Sequence, residues 1–254
     1  MQVLRRVMLR YISMAVLMVL TMAGAALSQE TRPEQTPQDA ASAPQSAKPQ
    51  DLLNTSGKVR LSLNGALGFG FEKVDVGTTT KGDTVSISGG GGAGGSAGIA
   101  FGLSRSLDLD LDLGFQVSGL TPAVDNAEGS FTRGLFLATL KYKVPTSDTG
   151  QFKFGAGLGA YFGGKMKFEL TDFPWKEEVD YNPAVGLHLT GEFERFIKPN
   201  LSINIGAKIY FVEYEAKSYK RNSIEQPLSS LKDDARNLNG SGMDLLLGIN
   251  LYFD

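Results

Sequence analysis

The chain has 254 residues, no cysteine, one histidine and a net charge of −2, with 25 Lys and Arg against 27 Asp and Glu. That balance excludes the clustered basic surface of a nucleic-acid binder, and the missing thiols exclude disulfides, cysteine metal ligands and a lipidated cysteine. Beyond residue 28 no stretch stays apolar for the roughly 20 residues of a membrane-spanning helix, so a membrane role for this chain requires a closed barrel.

Residues 1–28 read as a secretory signal. Arg5, Arg6 and Arg10 lead into an apolar stretch around 11–20, and Ala26-Leu27-Ser28 sets small residues at the −3 and −1 positions of a cleavage site. Removing them takes away three arginines and no acid, which leaves 22 basic and 27 acidic residues and a net charge of −5. Residues 29–56 read as a periplasmic linker. Pro33, Pro37, Pro44 and Pro49 stand there among Gln, Ala, Ser and Thr, a composition that buries no core and stays extended.

Residues 57–254 carry eight stretches of alternating apolar and polar residues. They span 58–73, a segment ending at 98–103, 107–117, 131–144, 151–162, 184–196, 201–212 and 243–253. Leu107-Asp108-Leu109-Asp110-Leu111-Asp112-Leu113 is the plainest: a strand sends successive side chains to opposite faces, so one face is hydrocarbon and the other carboxylate. The connections at 104–106, 145–150 and 197–200 are short, while 74–89, 118–130, 163–183 and 213–242 are long. This rhythm predicts an all-β fold, an eight-stranded antiparallel up-and-down transmembrane β-barrel. Short turns and both termini would lie in the periplasm, with long loops outside a bacterial outer membrane. Residues 165–170 also alternate, which leaves ten strands open as an alternative.

Residues 57–254 resemble the small outer-membrane β-barrel family that includes the OmpA transmembrane domain and OmpX. The resemblance is carried by Phe154-Gly155-Ala156-Gly157-Leu158-Gly159-Ala160-Tyr161-Phe162 and by Phe196-Ile197-Lys198-Pro199-Asn200-Leu201-Ser202. The last strand, with Leu247, Ile249, Leu251 and Phe253 on one face, resembles the barrel-assembly signal, although Asp254 follows the terminal aromatic residue. The resemblance implies outer-membrane lipid and lipopolysaccharide as surroundings and the barrel-assembly machinery as a partner. It implies no specific activity.

Several residues could carry chemistry. An Asp-x-Asp-x-Asp run from Asp108 can open a calcium loop, but such a loop needs glycine at its sixth position and glutamate at its twelfth. Leu113 and Gly119 stand there, so the run reads as an acidic ladder on the lumen wall. A buried carboxylate needs partners. Pairing of adjacent strands brings Lys141 and Lys143 towards Asp108 and Asp110, puts Lys153 beside the lysines, and sets Glu194 and then Glu192 near Lys153. A lumen charge network of Asp108, Asp110, Asp112, Lys141, Lys143, Lys153, Glu192 and Glu194 is therefore expected near the periplasmic end. Arg60, His188 and Lys208 are expected as further lumen residues. His188 reads as an interior histidine with Glu192 and Lys208 as neighbours, since no motif supplies a serine nucleophile.

The glycine tract Gly89-Gly90-Gly91-Gly92-Ala93-Gly94-Gly95 lacks the following helix of a dinucleotide site. It serves either strand bending or a mobile entry to the second strand. Loops on a rigid scaffold commonly carry function. Phe173, Trp175 and Tyr219 are the candidate contacts for an extracellular surface partner, and 213–242 reads as a solvated loop with a short helix near 230–237. The expected role is structural or surface-interacting, with a charge-plugged lumen, no enzymatic activity, no cofactor and no metal. The alternative is a narrow porin-like channel for ions or small solutes.

Overall fold

The computed structural model describes residues 50–78, 82–171 and 173–254. The signal at 1–28 and the linker as far as 49 lie outside the described residues. In chain order the elements are α1 (Gln50–Leu53), β1 (Val59–Gly70), β2 (Val74–Thr78), β3 (Thr84–Ile87), β4 (Gly91–Gly102), β5 (Leu107–Thr121), β6 (Ala127–Pro145), β7 (Gly150–Leu170), β8 (Trp175–Tyr181), β9 (Ala184–Lys198), β10 (Leu201–Phe211), β11 (Glu213–Arg221), β12 (Ile224–Gln226), α2 (Asp233–Arg236), β13 (Asn237–Asn239) and β14 (Gly242–Phe253).

Eight of these strands form a closed antiparallel wall in the order β1, β4, β5, β6, β7, β9, β10, β14. The ring shuts between β14 and β1, from Val59 opposite Phe253 to Gly70 opposite Gly242. Closure leaves no unpaired backbone edge in the wall, a condition for crossing hydrocarbon. The outer face is apolar. Leu63, Leu67, Val185 and Leu247 are 67, 68, 76 and 65 % exposed, an exterior that suits lipid and not water. The fold is an eight-stranded up-and-down β-barrel of the transmembrane type.

Leu111 shares the outer face of β5 with the exposed Leu113 and Phe115. Leu111→Arg is therefore expected to destabilise the barrel by about 2–4 kcal/mol near the bilayer midplane. Urea unfolding in lipid vesicles reads this directly, and an unchanged midpoint would show that this face does not meet hydrocarbon.

Residues 165–170 do not open a new barrel strand. They continue β7 past a bulge, where the register with β6 slips between Thr132 and Gly134. Gly163 takes φ +61 there, a left-handed conformation open to glycine at little cost. The extra residue changes the parity of the strand. Before it Lys153, Gly159 and Tyr161 are buried; after it Gly164, Met166 and Phe168 are.

The long loops are largely folded. Strand β8 pairs with the overhanging end of β7, and β11 pairs with β8, so the wall rises into a sheet beyond the barrel rim. The β2–β3 hairpin attaches through β3 to the end of β5. Residues 213–242, expected as a solvated loop with a short helix near 230–237, hold that helix as α2 but also the strands β11, β12 and β13. Tyr214, Ala216, Tyr219 and Leu238 are buried, so one face of this segment has a core to cover. The glycine tract belongs to β4 and its approach. Gly91 and Gly92 adopt φ +72 and +91, and a Cβ on Gly91 would fall 2.3 Å from the Phe69 backbone. Close strand approach, not mobility, accounts for glycine there.

At the short-turn end the chain before β1 is ordered as well. Leu53 packs with Phe196 and Tyr252, and the buried Thr55 lies across the mouth of the barrel.

Candidate functional site

The inward side chains form two layers. The lower layer sits at the end with the short turns and both ends of the barrel. Asp108 receives Lys143 at 2.5 Å, Arg60 at 3.4 Å and Lys153 at 3.5 Å. Asp110 is held by Arg60 at 2.5 Å and by Lys141 at 2.8 Å. Lys141 also reaches Glu192 at 2.6 Å, and Lys153 reaches Glu194 at 2.7 Å. Glu194 accepts further bonds from Gln151 (2.7 Å), Ser202 (2.5 Å), Asn250 (2.9 Å) and the Tyr252 hydroxyl (2.6 Å). Lys143 donates to Thr55 Oγ1 at 2.5 Å, which ties the segment before β1 to the network.

Four cations thus face four carboxylates, and their charges cancel. The layer draws side chains from β1, β5, β6, β7, β9, β10 and β14. Low dielectric makes each contact strong and each unpaired charge costly, so a neutral, multiply bonded layer is the stable arrangement. Asp112 stands outside these ion pairs and feels Lys141 only at longer range.

His188 and Lys208 also face inward, but not as neighbours of one carboxylate. His188 Nε2 lies 2.8 Å from Thr139 Oγ1, while its Nδ1 has no hydrogen-bond partner among the described residues. Glu192, expected beside it, is drawn to Lys141 instead. Lys208 pairs with Asp244 at 3.2 Å in the upper layer. No carboxylate orients the imidazole among the described residues, so the hydroxyl–base–acid relay of nucleophilic catalysis is not assembled around it.

The upper layer centres on Arg133, which the sequence reading missed. Its guanidinium donates to Gly240 O at 2.9 Å, Gly89 O at 3.3 Å, Tyr214 at 3.4 Å and Gln116 Oε1 at 3.1 and 2.5 Å. It also lies over the rings of Tyr210 and Tyr161, 4.7 and 5.2 Å from their centroids. Gln116 passes the chain on to Asp244 at 2.8 Å. Around this polar knot the interior is aromatic and aliphatic: Phe131, Leu135, Leu137, Tyr161, Tyr181, Tyr210 and Tyr214 form one buried cluster. The lumen is therefore filled by charge below and by rings above, whereas charge alone was expected to fill it. Arg133 was visible in principle, because it stands in strand phase with Lys141 and Lys143. Asp244, Asn250 and Tyr252 were visible in the same way, alternating with the outward Leu245, Leu251 and Phe253.

Of the three loop candidates, Phe173 is 68 % exposed and Trp175 39 %, at the turn between β7 and β8. Tyr219 is 2 % exposed and so leaves the set of surface contacts. Pairing of β11 with β8 turns its hydroxyl onto Glu177 at 2.8 Å. On the same raised sheet the Lys165 hydrogen bond holds the Glu178 carboxyl below its usual range. The outward residues of β14 include Leu247, Ile249, Leu251 and Phe253, 65, 53, 43 and 49 % exposed.

No family model matches the chain, and no curated protein matches it. Solved structures do. The outer membrane protein OprG from Pseudomonas aeruginosa is 12% identical, with 78% of this chain and 97% of that one covered and a TM-score of 0.48. Neisserial surface protein A is 13% identical over 78% of this chain and 98% of that one, with a TM-score of 0.46. Ail, the attachment invasion locus protein of Yersinia pestis, is 14% identical over 78% of this chain and 99% of that one, with a TM-score of 0.42. The chain is similar to small outer-membrane β-barrels. Its architecture is established independently by the closed strand pairing described above.

Proposed function

We propose that this protein is a bacterial outer-membrane barrel that does not conduct, and that it acts through structure and through its raised long-loop end. The neutral ion-pair layer of Arg60, Asp108, Asp110, Lys141, Lys143, Lys153, Glu192 and Glu194 carries this reading. It is bonded from wall to wall, and an eight-stranded barrel has just enough interior for side chains to fill. In this reading both termini lie in the periplasm, and the outer face contacts lipid and lipopolysaccharide. The barrel-assembly machinery reads the outward row Leu247, Ile249, Leu251 and Phe253, and Phe173 and Trp175 stand ready for a surface partner. No enzymatic step is included.

The narrow-channel alternative is tested by the same experiment. Residues 29–254, refolded and shown to be inserted in a planar bilayer, are expected to give no discrete conductance steps. Glu192→Ala together with Asp110→Ala, which removes two carboxylates from the layer, is expected to introduce them. Reproducible steps in the unaltered protein that change in size on Asp110→Asn or Lys141→Gln would make the charged layer an ion path instead of a plug.

A further inference from the structure

A cleft of about 240 Å³ lies at the long-loop end, lined by β2, the overhang of β7, β8, β11 and the segment leading into α2. None of its lining residues belongs to the charged layer of the lumen. Its floor is apolar: Val74, Met166, Phe168 and Val179 are buried and face one another across three separate elements. Its rim is polar, with Arg221 and Lys232 among the lining residues beside Asp75 and Glu177. Arg221 is already oriented. Its guanidinium lies 4.7 Å from the Trp175 ring centroid and donates to Glu177 Oε1 at 3.1 Å and to the Tyr219 hydroxyl at 2.8 Å. Lys232 donates to the Asp75 carbonyl at 3.1 Å and makes no ion pair among the described residues.

We propose that this cleft binds a small amphiphilic anion, a short acyl or single-ring carboxylate. The hydrocarbon would lie on the Val74–Phe168–Val179 floor and the carboxylate at Lys232 and Arg221. Three features support that class. The floor favours hydrocarbon by removing it from water. A planar guanidinium whose Nε and one terminal nitrogen bond Glu177 and Tyr219 keeps its other terminal nitrogen for a second carboxylate, a group that arginine matches in shape. The volume falls below the roughly 300–1,000 Å³ of sites for drug-sized ligands, which limits the occupant to a short chain or one ring. The assignment goes beyond the non-conducting reading and does not depend on it, because the cleft and the charged layer share no residue.

Trp175 is the only tryptophan of the chain and lines the cleft, so its fluorescence reports occupancy without a label. Protein in lipid nanodiscs is titrated with hexanoate, benzoate and the uncharged hexanol. The expected result is a saturable change with both carboxylates, at least tenfold weaker with hexanol. Ala235→Leu, which fills the cleft, is expected to weaken hexanoate at least tenfold. Lys232→Gln, at an exposed position where folding is not at stake, is expected to bring hexanoate to the level of hexanol. A linear, unsaturable response, or saturation that neither variant alters, would overturn the site. Equal binding of hexanoate and hexanol in the unaltered protein would overturn the anion assignment.

Discussion

Glu194→Ala is expected to destabilise the folded barrel by about 3–5 kcal/mol, the range for breaking a buried ion pair by removing one partner. Glu194 is fully buried and accepts from Lys153, Gln151, Ser202, Asn250 and Tyr252. Truncation leaves the Lys153 ammonium in the interior with Asp108 at 3.5 Å and the Tyr252 hydroxyl at 3.3 Å, and it strips an acceptor from Gln151, Ser202, Asn250 and Tyr252. Two conflicting effects follow from removing charge, and their sizes decide between them. Removing both members, as in Glu194→Leu with Lys153→Met, deletes the attraction but also deletes the desolvation cost, so the double variant is expected to lose less than the sum of the singles. Urea unfolding of all four proteins in vesicles closes the cycle. Strict additivity would remove the pair as an energetic unit. The same logic places the second strong coupling at Lys141 with Asp110 and Glu192, which it contacts at 2.8 and 2.6 Å. Asp108 answers to Lys143 and Arg60 instead.

The second large effect is expected at Arg133. Arg133→Ala strips donors from two loop carbonyls, Gly89 and Gly240, and from the Gln116 side chain. A buried group left without its partner costs about 1–3 kcal/mol, and loss of the guanidinium from above Tyr161 and Tyr210 adds about 1–2 kcal/mol. The sum is about 2–5 kcal/mol, and it falls on one end of the molecule. Gly89 belongs to the approach to β4 and Gly240 to the approach to β14, so the guanidinium ties two loop segments to the wall at β6. The variant is expected to become sensitive to protease in residues 84–90 and 227–241 while the lower layer keeps its protection in hydrogen exchange. Arg133→Lys is expected to rescue little, because a single ammonium cannot span carbonyl, amide and both rings. Protease resistance in Arg133→Ala, or full rescue by lysine, would show that the upper layer does not hold the loops.

The raised sheet shows why parts of this architecture were legible in the sequence and parts were not. Alternation with a period of two is a local property, and it fixes which residues share a face. Leu107 to Leu113, and Met243 to Phe253, therefore announced both walls of the barrel, and the lengths of the connections announced which end carries loops. Facing residues across a short turn are also local, so Lys143 opposite Lys153 follows from the strand phases. Across the long 163–183 connection the register is less local: strand phase set Glu194 beside Lys153, and the pairing puts Glu192 directly opposite it. The outward apolar face and the inward position of Arg60, His188 and Lys208 were available from the amino-acid order alone, whereas the choice of eight strands over ten waited for the pairing of 165–170 with β6.

Contacts across the lumen were not. Arg60 meets Asp110 from non-adjacent strands, and Arg133 meets Gly240 across the mouth of the barrel; these distances depend on closure, tilt and the stagger of the whole ring. The bulge at Gly163 is a second such case. One inserted residue reverses the parity of β7, and only pairing with β6 reveals where the insertion falls. That reversal turns Met166 and Phe168 inward, builds the floor under β8 and β11, and buries Tyr219, which a reading of loop composition had placed at the surface. The sequence by itself determined a barrel with its outer face and its inner polar residues, because period and phase are carried by neighbours along the chain. Only the tertiary structure decided which charges neutralise one another, that rings close the upper lumen, and that the long loops enclose a cleft, because each of these depends on residues brought together by closure of the ring.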